Sequence, residues 1–358
     1  MKRIFVLSGA ISVMTVACGG GKDHVKSRVQ EAWNARNNPV LFSSSYEKTF
    51  TSLPLSGRTA QTPWSDSYWP SNRGGISVRW NKANPENFSY VPPTREAVFQ
   101  MTESQLEALS PAEKYDLLMG RYDFPTVKAE RKRTSPRDED WEGLCHGWVP
   151  ASLVLREPKP IAVANPDGLS IRFGASDVKG LLSYYYGQIA SSRSQLLGGR
   201  CHAKLVESPL LAMSPECRDV NAGAFHVIIS NQLGLLKEGF AADVTRDYEV
   251  WNHPVHTYSS EILGSRAPSI GSAPGTVKEV RIQTKMSYTV ELSQNWNATG
   301  AASRSKTYEY LLELNADGKI IGGAWISKDR PDFLWKQEDV TFEGYFAKIK
   351  DIYTSSIQ

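Results

Sequence analysis

In the last third of the chain apolar residues recur at every second position. Val280, Ile282, Met286, Tyr288, Val290 and Leu292 all fall on even numbers, and Tyr308, Tyr310, Leu312 and Leu314 repeat the pattern before Asn315-Ala316-Asp317-Gly318. Side chains alternate across a strand, so this period predicts half-buried antiparallel strands joined by a hairpin turn after Leu314. Upstream the period lengthens: Ser176 opens a segment in which Val178, Leu181, Leu182, Tyr185 and Ile189 share one face of a helix. Two shorter helices have legible starts, at Thr102 with Gln105 and at Ser110-Pro111 with Glu113, where a hydroxyl and a carboxyl or amide three residues on form a capping box; the second ends at Gly120. Helices first and strands later predict an α+β protein, its helical N-terminal and central part packed with a C-terminal antiparallel sheet, without internal repeats.

The remaining segments lack a period. Between Pro63 and Trp80, Trp64, Tyr68, Trp69 and Trp80 stand among turn residues, a rigid aromatic loop that is either core or cleft wall. Lys128 to Glu142 carries basic and acidic residues in equal number and reads as a solvated loop, its acidic half a weak calcium candidate. Before Thr62 only Val29 to Trp33 suggests a short helix. At the start, Lys2 and Arg3 precede the apolar run Ile4 to Val16 and then Ala17-Cys18-Gly19, an export signal too short to span a bilayer. Its end resembles a bacterial lipobox, in which Cys18 is lipidated and becomes the mature N-terminus; plain export with cleavage nearby is the alternative. The expected organisation is a lipoprotein signal over 1–17, a tether or pro-segment over 18–62 and a catalytic domain over 63–358. The expected location is the bacterial cell envelope, lipid-anchored with the outer membrane favoured by Gly19, or else periplasmic or secreted.

Composition narrows the chemistry. The 41 Lys+Arg and 38 Asp+Glu leave a net charge of +3, no footprint for nucleic acid. Only 4 Cys and 6 His are present, so each can be weighed singly. With Cys18 in the signal, three cysteines remain in an oxidising compartment and one must stay free. Cys201 and Cys217 flank a Pro- and Ser-containing loop, and a bridge across it would contribute about 3 kcal/mol. Cys145 lies between Gly143 and Gly147, ahead of an apolar run able to start a helix whose N-terminus lowers a thiol pKa. It is a nucleophile by this reading and a structural buried thiol by the alternative.

A thiolate nucleophile needs a base and a group to orient that base. His24 lies in the tether, His202 beside the expected bridge, and His146 diverges from Cys145 by about 100° on a helix. His226 lies in the apolar segment Asn221 to Gly234, a helix or a short buried strand, and Asp243 in the apolar stretch Gly239 to Val244, where a carboxylate should be paired. The expected triad is Cys145, His226 and Asp243, with Asp247 as fallback and a turn or cap role as the alternative for Asp243.

Three blocks now line up: Gly143-Leu144-Cys145-His146-Gly147-Trp148, Asn221-Ala222-Gly223-Ala224-Phe225-His226, and Tyr248-Glu249-Val250-Trp251-Asn252-His253-Pro254-Val255. In this order they resemble the oomycete transglutaminase elicitor family and its bacterial relatives. The third block is similar to the surface peptide of the oomycete enzymes that plant immune receptors recognise, Val-Trp-Asn-Gln-Pro-Val, but carries His253 in place of Gln and diverges after Val255. The resemblance extends from about Trp64 to Trp335. It implies a protein-glutamine gamma-glutamyltransferase with a Cys-His-Asp apparatus and a cysteine-protease-like active site, with no certain cofactor and calcium as a candidate only.

Its partners would be proteins or peptides offering glutamine and a lysine or other amine, besides the membrane that holds the lipid anchor. Trp148, Trp69 and Trp251 are the candidate substrate-binding or oxyanion residues, Trp148 through its indole N–H, and Trp64, Trp69, Trp80 and Trp148 are candidate walls that keep a thioester dry. Two other functions use the same features: a papain-like peptidase or amidase, and a non-catalytic surface lipoprotein that binds through an aromatic groove.

Overall fold

The computed structural model describes residues 32–81, 88–199, 219–245 and 249–358. The expected lipidation at Cys18, the Cys201–Cys217 bridge, His24, His202 and Asp247 lie outside these residues. In chain order the strands are β1 (Ser56–Arg58), β2 (Ile161–Ala164), β3 (Ser170–Phe173), β4 (Ser194–Gly198), β5 (Phe240–Asp243), β6 (Asn252–Arg266), β7 (Lys278–Val290), β8 (Ala302–Leu314), β9 (Ile320–Trp325) and β10 (Phe333–Gln337). All but β2 and β3 join one antiparallel sheet in the order β4-β10-β5-β6-β7-β8-β9, with β1 added alongside β6. The period-2 segments are β7 and β8, paired along their whole length, and the Asn315 to Gly318 turn leads into β9 as expected.

The helices are α1 (Arg95–Phe99), α2 (Glu103–Glu107), α3 (Pro111–Leu118), α4 (Pro125–Arg133), α5 (Cys145–Val154), α6 (Ala175–Tyr184), α7 (Ala222–Ile229) and α8 (Ile349–Ser356). Both capping boxes form, Thr102 with Gln105 at α2 and Ser110 with Glu113 at α3. Widened π-turns continue α6 through Tyr185–Ile189 and α7 through Ser230–Leu236. The architecture is therefore the expected mixture of helices and antiparallel sheet.

Around β5 and β10 the sheet is buried on both faces, so alternation along these strands feeds two separate cores. Along β5, Ala241 joins one core with α5, α6 and α8, while Phe240 and Ala242 join the other with α7. Along β10, Trp335 belongs to the first and Leu334 to the second. The first core is tied together by buried charge. Lys114 of α3 and Asp177 of α6 pair at 2.6 Å with both side chains fully enclosed, and the Trp80 indole N–H and the Gly174 N–H also donate to Asp177. The carboxylate is satisfied by three donors, and the ammonium pairs with it and lies 5.6 Å from the Trp296 ring centroid.

Two segments differ from expectation. Residues 32–62, within the expected tether or pro-segment, pack on the sheet: Phe42 and Leu53 enter the second core, β1 pairs with β6, and Asn231 bonds Glu47 through both backbone groups. Of the expected helix at Val29 to Trp33, the described part is extended, with Ala32 bridging to Gly322 of β9. Within Lys128 to Glu142, residues up to Arg133 belong to α4 rather than a loop. Asp116 caps that helix by accepting the N–H groups of Thr126 and Val127, and Glu130 is fully buried between Arg133 and the Ile76 N–H. A run of charge concealed one inward face.

α5 lies close against α6 and its π-extension because Gly147 has no side chain. A Cβ there would sit 1.9 Å from the Ser183 carbonyl oxygen and 2.8 Å from the Gly187 nitrogen, both backbone atoms. We expect Gly147→Ala to destabilise the fold by about 1–3 kcal/mol, as overpacking does. A thermal melt checks this, and an unchanged midpoint would show that the helices can part at no cost.

Candidate active site

The Cys145 segment folds as a tight turn into a helix. Gly143 passes so close to the aromatic loop that a Cβ would meet the Tyr68 carbonyl at 2.3 Å, and the Leu144 N–H donates to that same carbonyl at 2.6 Å. Cys145 is the first residue of α5, and no described side chain caps this end. The thiol is free and 6% exposed. The α5 terminus rests on the sheet where β5 and β6 pair, Asp243 opposite Asn252. There the Asn252 carboxamide Nδ2 donates to Cys145 Sγ at 3.5 Å, and the Val250 carbonyl lies 3.9 Å from the sulfur. Asn252 is itself held by the Trp335 indole, whose N–H donates to Oδ1 at 2.7 Å.

Electrostatics at the sulfur are opposed. Burial pushes the thiol pKa up, the side-chain and backbone N–H groups of Asn252 and the backbone N–H of His146 pull it down, and the Asp243 charge pushes it up again. The net direction is upward. Asp243, fully buried at the end of β5, accepts the Thr245 N–H at 3.3 Å. The structure thus gathers Cys145, Asp243 and Asn252 on one face of the sheet.

It does not bring His226 there. α7 covers the opposite face, and the His226 Nδ1 is 2.8 Å from the Tyr310 hydroxyl, while Nε2 meets no hydrogen-bond partner among the described residues. Neither ring nitrogen bonds the thiol, and burial pushes its pKa down to about 3, so the ring is neutral. The expected Cys145–His226 pair is not formed; the physical reason is that the sheet stands between the two cores. His146, adjacent in sequence, is engaged instead with the Gly187 carbonyl at 3.2 Å and Gln188 at 2.9 Å. His253 points away from the face of Asn252, toward the Thr289 carbonyl and Glu291, and His256 bonds Thr257 and Ser303.

The expected tryptophans divide. Trp148 is no oxyanion donor, because its indole N–H is spent on the Trp64 carbonyl at 3.1 Å. Trp69 is no cleft wall: it is fully buried, donates to Asp66 at 3.0 Å and packs edge-on to Trp80. Trp64 is core as well. Trp251 alone among the three is partly exposed, beside Val250 and edge-on to Tyr68 at 5.1 Å, so this aromatic pair flanks the nucleophile. Asn252 and Trp335 received no role from sequence reasoning. Asn252 stood inside the third family block, whereas nothing in the sequence around Trp335 marks it.

Among the described residues no three His, Cys, Asp or Glu side chains gather as a metal site. In the acidic stretch Asp138 accepts the Ser135 N–H of its own loop, and Asp140 accepts the Asn72 carboxamide N–H of the aromatic loop.

The sequence model of the transglutaminase elicitor family matches residues 138–341, more than half of the chain. The chain belongs to that family, as the three blocks implied. Among solved structures it is similar to the GP42 transglutaminase from Phytophthora sojae, with a TM-score of 0.67 and 22% identity over 91% of this chain and 99% of that one. At this identity the likeness concerns the fold. No curated protein matches the chain.

If Asp243 raises the thiol pKa as the geometry indicates, alkylation of Cys145 by iodoacetamide should rise at a pH above the ordinary thiol range of about 8.5. Asp243→Asn should move that rise to lower pH by removing the negative charge. A profile that stays put or shifts upward would disprove the coupling.

Proposed function

We propose that this protein is a protein-glutamine gamma-glutamyltransferase with Cys145 as nucleophile. The observation that carries the reading is a free, buried thiol at a helix start, faced by Asn252 and Asp243, in a chain of the transglutaminase elicitor family. The Cys145 sulfur attacks the glutamine carboxamide carbon, a C–S bond forms, and the C–N bond breaks to release ammonia with the added proton. A lysine amine then attacks the thioester, a new C–N bond forms, the C–S bond breaks and the thiol regains its proton. Burial of the sulfur supports transfer over hydrolysis, since a dry thioester waits for the amine. Trp251 and Tyr68 at the rim supply the apolar surface for the incoming peptide.

Asp243 is the acidic member of the apparatus by this reading. The base is not His226, and the other described histidines are engaged elsewhere. His24 and His202 lie outside the described residues, and His24 precedes the catalytic part of the chain, which makes His202 the histidine to test. The signal-like start further suggests a lipid anchor at Cys18 and a place in the bacterial envelope. Among the described residues no helix is long and apolar enough to cross a membrane.

Incubation with a glutamine peptide and a labelled amine, reading amine incorporation and ammonia together, tests the function. Wild type should show both, Cys145→Ala neither while remaining folded. His202→Ala should abolish transfer, whereas His226→Ala should lower stability and leave turnover per folded molecule within about threefold. Ammonia without amine incorporation would indicate a peptidase or amidase instead, and an unreactive Cys145 a binding protein. For the anchor, Cys18→Ser should shift the protein from membrane to soluble fractions, and unchanged partitioning would refute lipidation.

A further inference from the structure

We infer that the Asn252 carboxamide is the oxyanion donor of this site and that Trp335 is its positioning residue, an inference that rests on the acyl-transfer reading above. Asn252 opens β6 on the face that α5 covers, and it is buried with 5% exposure. An indole N–H can only donate, so at 2.7 Å it must meet the amide oxygen. The orientation of the carboxamide is thereby fixed, and its NH₂ group is the end directed at sulfur, 3.5 Å from Sγ. The backbone N–H groups of Asn252 and His146 converge on the same sulfur.

These donors sit where charge moves during reaction. In the thiolate the negative charge is on Sγ. When Sγ bonds the glutamine carbonyl carbon, the C=O electron pair shifts to oxygen and the sulfur becomes a neutral thioether. That oxygen is one carbon away from sulfur, so a donor already 3.5 Å from Sγ can bond it after a small shift. Collapse of the intermediate returns the pair to C=O and expels ammonia. The amide can then serve the second tetrahedral intermediate, formed by the amine, in the same way. The Trp148 indole, in contrast, is committed to the Trp64 carbonyl and is unavailable.

The test compares two reactions of Cys145 in the full-length protein: amine incorporation from a glutamine peptide, which passes through an oxyanion, and iodoacetamide alkylation at a pH where the thiol is fully ionised, which does not. Asn252→Leu should lower kcat for incorporation by about 10²–10³-fold, the usual loss of one oxyanion donor, with KM little changed. The plateau alkylation rate should remain within about threefold of wild type. Trp335→Phe keeps the ring contacts and removes one N–H, and should lower kcat by about tenfold with alkylation unchanged. It carries the test if Asn252→Leu fails to fold. Unimpaired incorporation in the folded variant, or an equal loss in both reactions, would overturn the assignment. A wild-type protein that alkylates but incorporates no amine would overturn the functional reading itself, so the two failures are distinct.

Discussion

The burial of β5 and β10 on both faces of the sheet is the constraint on which the rest depends. Because neighbouring residues of a strand point to opposite sides, a shift of one residue in β5 would exchange Ala241 and Asp243 with Phe240 and Ala242. The register that pairs Asp243 with Asn252 therefore decides that a carboxylate and a carboxamide face Cys145. It also leaves Phe240, Ala242 and Leu334 for the core under α7. The candidate site is a consequence of register before it is a consequence of any single side chain.

Close backbone approach completes the arrangement. A helix start can reach the middle of a sheet and an aromatic loop together only where side chains are absent. Gly143 makes room for the Tyr68 carbonyl and Gly147 for the Ser183 carbonyl, so α5 is clamped from two sides with Cys145 between the contacts. Gly180 admits the Trp69 ring in the same way, a Cβ there lying 2.6 Å from Cζ2. Trp69 itself has φ of 51°, a conformation held by its bond to Asp66 and the enclosing core. The aromatic loop is thus a brace for the nucleophile turn, not the wall of a cleft.

What was legible in the sequence was local. Caps at Thr102 and Ser110, the period of α6, the alternation of β7 and β8 and the position of Cys145 at a helix start all depend on residues within a few positions of one another. What was not legible depends on pairing across the chain. Nothing near His226 reveals which face of the sheet its helix covers, so an apolar setting was read as proximity to the thiol. The Trp148 indole looked available because its acceptor, the Trp64 carbonyl, lies far away in sequence. α4 was hidden because its charges outnumber the single stripe formed by Val127 and Glu130. Asn252 was seen only as part of a family block, since its role depends on Trp335 from another strand.

The opposing influences on the thiol are compatible with transfer chemistry. A sulfur exposed to water would ionise easily and lose its acyl group as easily to hydrolysis. Burial protects a thioester but disfavours the thiolate that makes it, as the raised pKa of Cys145 shows. The N–H groups of Asn252 and His146 offset that cost in the charged state alone, because hydrogen bonds to an anion are stronger than those to a neutral thiol. Asp243 acts in the opposite sense, and its negative charge favours the thiol until a proton acceptor or a substrate changes the local field. Burial and the Asp243 charge together favour the protonated thiol at rest. On the proposed reading, protection of an acyl intermediate and restraint of the free thiol follow from the same burial.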